Sequence, residues 1–159
     1  MAHCPTVGVI YDYFSAATDD EAAAVYDWPA GPICPPSGTE PKDSVEVKNI
    51  DPHVMMGTLE ALLTGNRYED ITERPRHAAT LRFGDDGGDG LFTITGEFTS
   101  ALVSADDDRI HAVAHAWSET EEFWGHADPA ELAELLRDLR DLAVRATQQR
   151  HQLYCWMSL

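Results

Sequence analysis

His111 and His115 stand four residues apart in a stretch of helical periodicity. That spacing puts two imidazoles on one helix face, which is how a helix offers a pair of nitrogen ligands to a divalent metal. His126 and the carboxylates Glu119, Glu121 and Glu122 lie nearby in sequence. Ala112 occupies the position where a zinc-peptidase helix carries its general-base Glu. Two histidines alone make half a metal site, and the competing reading is two solvent-facing imidazoles beside an apolar stripe. No metal and no cofactor are therefore expected. A divalent-metal binding protein using His111 and His115 is kept as an alternative.

The stretch Trp117-Ser-Glu-Thr-Glu-Glu-Phe-Trp124 offers recognition rather than catalysis. Aromatic anchors bury area against a partner, while interleaved carboxylates steer a cationic one. From Asp106 to Glu131 there are eight acids (Asp106, Asp107, Asp108, Glu119, Glu121, Glu122, Asp128 and Glu131) against the single Arg109. Trp117, Glu119, Glu121, Glu122 and Trp124 are the candidate partner-binding residues, with Trp124 the first choice of anchor. The competing reading makes Trp117, Phe123 and Trp124 core residues and the acids their solvated flank.

Other chemistry is thinly represented. Asp85-Asp-Gly-Gly-Asp-Gly90 starts like a calcium loop, but its third position is Gly87 and its twelfth Gly96. Cys155 lies in an apolar stretch, where cysteine packs as a small hydrophobe; Cys34 lies in a proline-rich loop without an identifiable partner. Phosphate loops, Gly-x-Ser-x-Gly elbows and dinucleotide fingerprints are absent. An enzyme with a dispersed site, Tyr11, Tyr13 and Trp28 around a pocket, is the remaining alternative.

Composition narrows the partners. The chain has 159 residues, 43% of them hydrophobic, with 11 Lys and Arg against 28 Asp and Glu and a formal charge of −17. Such a charge disfavours nucleic acid and anionic membrane, and favours a basic protein or plain solubility. Arg outnumbers Lys, which with abundant Ala and Asp points to a GC-rich bacterial genome. No apolar run approaches a membrane span, and the Met-Ala-His-Cys-Pro start lacks a signal-peptide pattern. Three cysteines without a Cys-x-x-Cys pair fit a reducing compartment, so a cytoplasmic protein is expected.

The elements that must position these residues follow from periodicity. Asp128 caps a long helix with Pro129 at its first position and Glu131 placed to close a capping box. Leu132, Leu135, Leu136, Leu139, Leu142, Ala143 and Ala146 form its apolar stripe. Leu153 to Leu159 then reads as a buried strand. Thr6 to Phe14 is a first strand, with Tyr11 and Tyr13 on one face and Ile10, Asp12 and Phe14 on the other. Thr18 caps a short helix that runs to Trp28. A loop spans residues 29–41, and Val45 to Ile50 forms a short strand. Asp51-Pro52 opens a helix that Gly65 ends. The chain from Tyr68 to Arg82 has no clear assignment. Leu91 to Thr95 is a strand, Glu97 to Ala105 a short helix, and Asp106 to Trp117 a longer one with Ile110, Val113, Ala114 and Trp117 on one face. Ser118 to Ala127 is a helical turn and loop.

Three of these stretches carry a family resemblance. Gly8-Val-Ile-Tyr-Asp-Tyr13 before an acidic helix, Ile50-Asp51 leading to Leu62-Leu-Thr-Gly65, and the final helix running into Leu153 to Leu159 resemble the YfbM-like family of uncharacterised bacterial proteins. The chain departs from that family in lacking the Lys-x-x-Trp type start of the middle helix. The resemblance implies an α+β fold and brings no catalytic residues. The expected architecture is one α+β domain over residues 1–159, a small mixed or antiparallel sheet packed by helices. The expected function is a non-enzymatic interaction module, immunity or antidote-like, for a basic partner.

Overall fold

A computed structural model describes residues 9–85 and 88–158. Its centre is strand β1 (Ile10–Ala16), all seven residues of which are buried. A strand enclosed on both faces must have a neighbour on each side and a layer above and below. β1 pairs antiparallel with β2 (Ser44–Lys48) and with β5 (Gln152–Ser158). β5 continues to β4 (Gly90–Thr93), and β4 to β3 (Thr80–Phe83), giving a five-stranded antiparallel sheet ordered β2-β1-β5-β4-β3. Thr6 to Gly8, expected as the start of the first strand, lie outside the described residues.

The alternation along β1 divides two cores. Tyr11 and Tyr13 face the larger one, under helices α2 (Met55–Thr64), α4 (Gly96–Ser104), α5 (Asp107–Ser118) and α6 (Pro129–Gln148). Phe14 and Ala16 face a smaller one with Leu91 and Tyr154, covered by helix α1 (Asp19–Ala24) and a 3₁₀ turn over Val25–Asp27. Gly31 belongs to this second layer. Its φ is +83°, and a Cβ there would stand 2.7 Å from the Trp156 ring. Glycine alone satisfies both conditions.

α6 is the helix that the leucine spacing requires. Leu132, Leu136, Leu139, Leu142, Ala143 and Ala146 are buried, and Leu135 is half-buried at the edge of the stripe. Asp128 accepts a hydrogen bond from the Ala130 N–H at 2.9 Å, with Pro129 at the first position. Glu131 closes no capping box; its side chain is exposed and has no hydrogen-bond partner among the described residues. Leu153, Tyr154 and Cys155 of β5 are buried as the terminal apolar run implies, and Leu159 lies outside the described residues.

Two expectations shift. The helix expected to open at Asp51-Pro52 starts at Met55, because Asp51 Oδ1 accepts from the N–H of Val54 (2.6 Å) and of Met55 (3.2 Å) across an intervening turn. The unassigned stretch from Tyr68 to Arg82 holds helix α3 (Tyr68–Thr72) and β3, a four-residue edge strand with an irregularity near Leu81.

Candidate functional site

α5 delivers the recognition stretch. Asp106 caps it by accepting from the Arg109 N–H at 2.8 Å, and the stripe Ile110, Val113, Ala114 and Trp117 is buried. Trp117 is fully enclosed: its indole N–H donates to the Met55 carbonyl at 3.2 Å. Its ring meets Phe123 edge-on, centroids 5.2 Å apart. Trp117 is therefore a core residue and not part of a contact face, a correction to the sequence reading. The helical stripe prevails because α5 packs against both α2 and α6.

Beyond Ser118 the chain turns. The Ser118 hydroxyl donates to the His115 carbonyl at 2.6 Å, and the Thr120 hydroxyl to the Trp117 carbonyl at 2.7 Å, which ends the helix. A 3₁₀ turn over Glu121–Phe123 follows, then Trp124 at φ +53° and Gly125 at φ +73°. Two successive left-handed residues reverse the chain and carry the indole outward. Trp124 is 83% exposed. The left-handed region is unfavourable for any side chain with a Cβ and rare for a bulky one. Phe123, half-buried against Trp117, is the foot on which this turn stands.

Three carboxylates share a groove with the indole. Glu119, Glu121, Glu122, Thr120, Trp124 and Gly125 line an open groove of ≈ 620 Å³. Glu122 Oε1 accepts from the Thr58 hydroxyl at 3.0 Å, which ties the turn to α2. Partial burial pushes the Glu122 carboxyl up, but its own backbone N–H and the hydroxyls of Thr120 and Thr58 outweigh that, and it titrates below its ordinary value. Glu122 thus stays charged at neutral pH. Glu119 Oε1 lies 3.1 Å from His115 Nε2, and Glu121 projects into solvent. An exposed aromatic face that shares a groove with carboxylates accepts cations well, by coulombic attraction and by the ring quadrupole.

The other sequence candidates separate. His111 and His115 do share one face of α5, but they have different partners. An Arg137 guanidinium nitrogen sits 3.0 Å from His111 Nε2, and a cation there opposes a metal ion. Among the described residues no group of three His, Cys, Asp or Glu is placed to hold a metal. Tyr11 and Tyr13 face the larger core while Trp28 packs on the smaller one, across the sheet, so they share no pocket. Tyr13 is spent in the interior, its hydroxyl donating to the Ile50 carbonyl at 2.7 Å. Cys155 is buried, and burial pushes its thiol well above the usual range. Of the Asp85–Gly90 run, Asp86 and Gly87 lie outside the described residues.

Polar clusters that the sequence did not disclose are structural in form. Glu60 is buried, accepts from the Thr95 hydroxyl at 2.7 Å and is paired with Arg74. Asp19 takes both Arg76 terminal nitrogens (3.0 and 3.1 Å) and the Tyr154 hydroxyl (2.7 Å), fixing α1 to the sheet. Arg74 and Arg76 come from the stretch without periodicity, so no spacing announces either cluster. No protein-family model matches the chain, and no curated protein or solved structure matches it significantly.

Proposed function

We propose that this protein is a non-enzymatic interaction module that binds a basic protein, in the manner of an immunity or antidote protein, on the ledge formed by Glu119, Glu121, Glu122 and Trp124. One observation carries the reading: Trp124 stands 83% exposed in a left-handed backbone conformation, among three carboxylates. A large indole in water, held in a conformation that costs free energy, serves packing poorly and recognition well. The formal charge of −17 supports a cationic partner, because a field of that sign speeds its encounter. No helix among the described residues is long and apolar enough to cross a membrane. A cytoplasmic setting belongs to the same proposal, supported by the free Cys34 and Cys155. So does kinship with the YfbM-like family, whose resemblance adds no residue to the ledge.

The test is a pull-down from the native lysate with wild type and Trp124→Ala as baits. A basic protein retained by wild type, released by salt and lost with Trp124→Ala is the expected result. Glu121→Gln should mainly slow association, and Trp124→Ala mainly speed dissociation. Retention of the same proteins by both baits would refute the assignment.

A further inference from the structure

We propose that the cleft between the start of α4, the end of α6 and the start of β5 binds a small oxyanion, with Arg150 and His151 as its principal ligands. The cleft holds ≈ 280 Å³, which suits phosphate or the carboxylate end of a small metabolite rather than a nucleotide. It is independent of the Trp124 ledge and shares no residue with it.

Cations are scarce in this chain, and most are committed. Seven of the eleven Lys and Arg form ion pairs with Asp or Glu. Arg109 donates to the Leu62 and Leu63 carbonyls, and Arg137 to His111. That leaves Lys48, on the outer strand β2, and Arg150, whose side chain has no partner among the described residues and which lines the cleft. Arg150 has φ +59°, a left-handed step that reverses the chain between α6 and β5. Beside it, His151 Nδ1 is buried without a hydrogen-bond partner. An enclosed nitrogen left unsatisfied costs free energy, which a turn of the His151 ring toward a ligand in the cleft would recover.

The rest of the lining agrees. The hydroxyls of Ser100 and Thr147 have no partner among the described residues, whereas that of Thr99 already donates to the Thr95 carbonyl at 3.2 Å. Among the described residues no carboxylate lines the cleft. Of the carboxylates near it, Glu97 lies beside Arg74, and Glu21 is paired with Lys42 while also lying within electrostatic reach of His151. The last carbonyls of α6, which would repel an anion, already accept from the N–H groups of Gln149, Arg150 and His151. A Cβ added at Gly96 would meet nothing within 4 Å, so the cleft is open at the amino end of α4. Uncommitted donors, one of them permanently cationic, and no carboxylate acceptor select an anionic ligand made of acceptors.

The experiment is a titration of the ¹⁵N-labelled protein with inorganic phosphate and, separately, with acetate, against chloride at matched ionic strength. Saturable shifts of the Gly96, Ser100, Thr147, Arg150 and His151 amides are expected with phosphate. Acetate moving the same amides would extend the site to carboxylates; acetate leaving them still would restrict it to tetrahedral anions. Arg150→Gln, which removes an exposed and unpaired side chain, should keep the fold and weaken binding by roughly tenfold or more. His151→Phe should weaken it as well. Non-saturable shifts with both anions, or affinity unchanged in Arg150→Gln, would overturn the proposal.

Discussion

Trp117 and Trp124 lie seven residues apart, and the surroundings of the two could hardly differ more. Trp117, at the end of α5, is enclosed with its N–H satisfied by the Met55 carbonyl. Trp124, on the ledge, is in water. The carboxylates repeat the contrast. Asp12, inside β1, is 3% exposed with Oδ1 unpartnered, and burial first and Glu46 second push its carboxyl up from 3.8 to about 6. Glu122, on the ledge, is pulled below its ordinary value by hydrogen-bond donors. The same or closely similar residue types thus serve as filling in one region and as display in the other. What separates the regions is how the backbone is covered: the packed stripe of a helix, or a strand covered on both faces, cannot present its side chains, whereas a turn packed on one side can.

The comparison predicts its largest effect at Trp117. Trp117→Ala removes a fully buried ring and orphans the Met55 carbonyl, and should destabilise the fold by ~3–5 kcal/mol. Urea denaturation measures this directly. A loss under about 1 kcal/mol would mean that the end of α5 is not core, and the contrast with Trp124 would collapse.

How much of this contrast is legible before folding can be judged from the same residues. The spacing of Ile110, Val113, Ala114 and Trp117 already points Trp117 inward, because one face of a helix shares one environment. The caps at Thr18 and Asp128 and the leucine stripe of α6 are legible for similarly local reasons. Trp124 lies past the end of periodicity, and its exposure depends on a pair of left-handed residues that only Gly125 announces. The Arg150 cleft is not legible in the sequence for another reason. Its lining comes from α4, the end of α6 and the turn into β5, with α4 far from the other two in sequence, and they converge only because β5 lies between β1 and β4. β3 is short and irregular near Leu81, so neither strand nor helix period has room to show.

An intermediate effect is expected at Asp12. Its folded pKa of about 6 lies above the ordinary 3.8, so the folded state holds the proton more tightly than the unfolded chain does. Stability from this group is fully present below 3.8 and is lost as pH rises through about 6. Asp12→Asn should remove that loss, raising stability at pH 7 by roughly 1–3 kcal/mol and flattening its pH dependence across that window. Thermal unfolding of both proteins at pH 4 and pH 7 would show it. An equal pH dependence in the two would mean that Asp12 is solvated, like the acids of the ledge.

The smallest effect is expected at Trp124, and it sharpens the comparison most. Truncating an exposed ring removes little buried area, so Trp124→Ala should stay within about 0.5 kcal/mol of wild type. Alanine still has a Cβ at φ +53°, so the backbone strain remains. Trp124→Gly relieves that strain, worth about 1–2 kcal/mol, against an unfolded-state entropy cost of about 0.4–1 kcal/mol. The glycine variant should therefore match or exceed the alanine variant by up to about 1 kcal/mol in urea unfolding followed by the remaining tryptophans. If the ledge is a recognition surface, both variants should lose the basic partner equally, because both lose the ring. Glycine that stabilises while abolishing binding would separate the two demands on this position: the fold tolerates Trp124, and the partner requires it. A loss of more than about 2 kcal/mol in either variant would show instead that the indole packs onto the protein, and Trp124 would join Trp117 as filling.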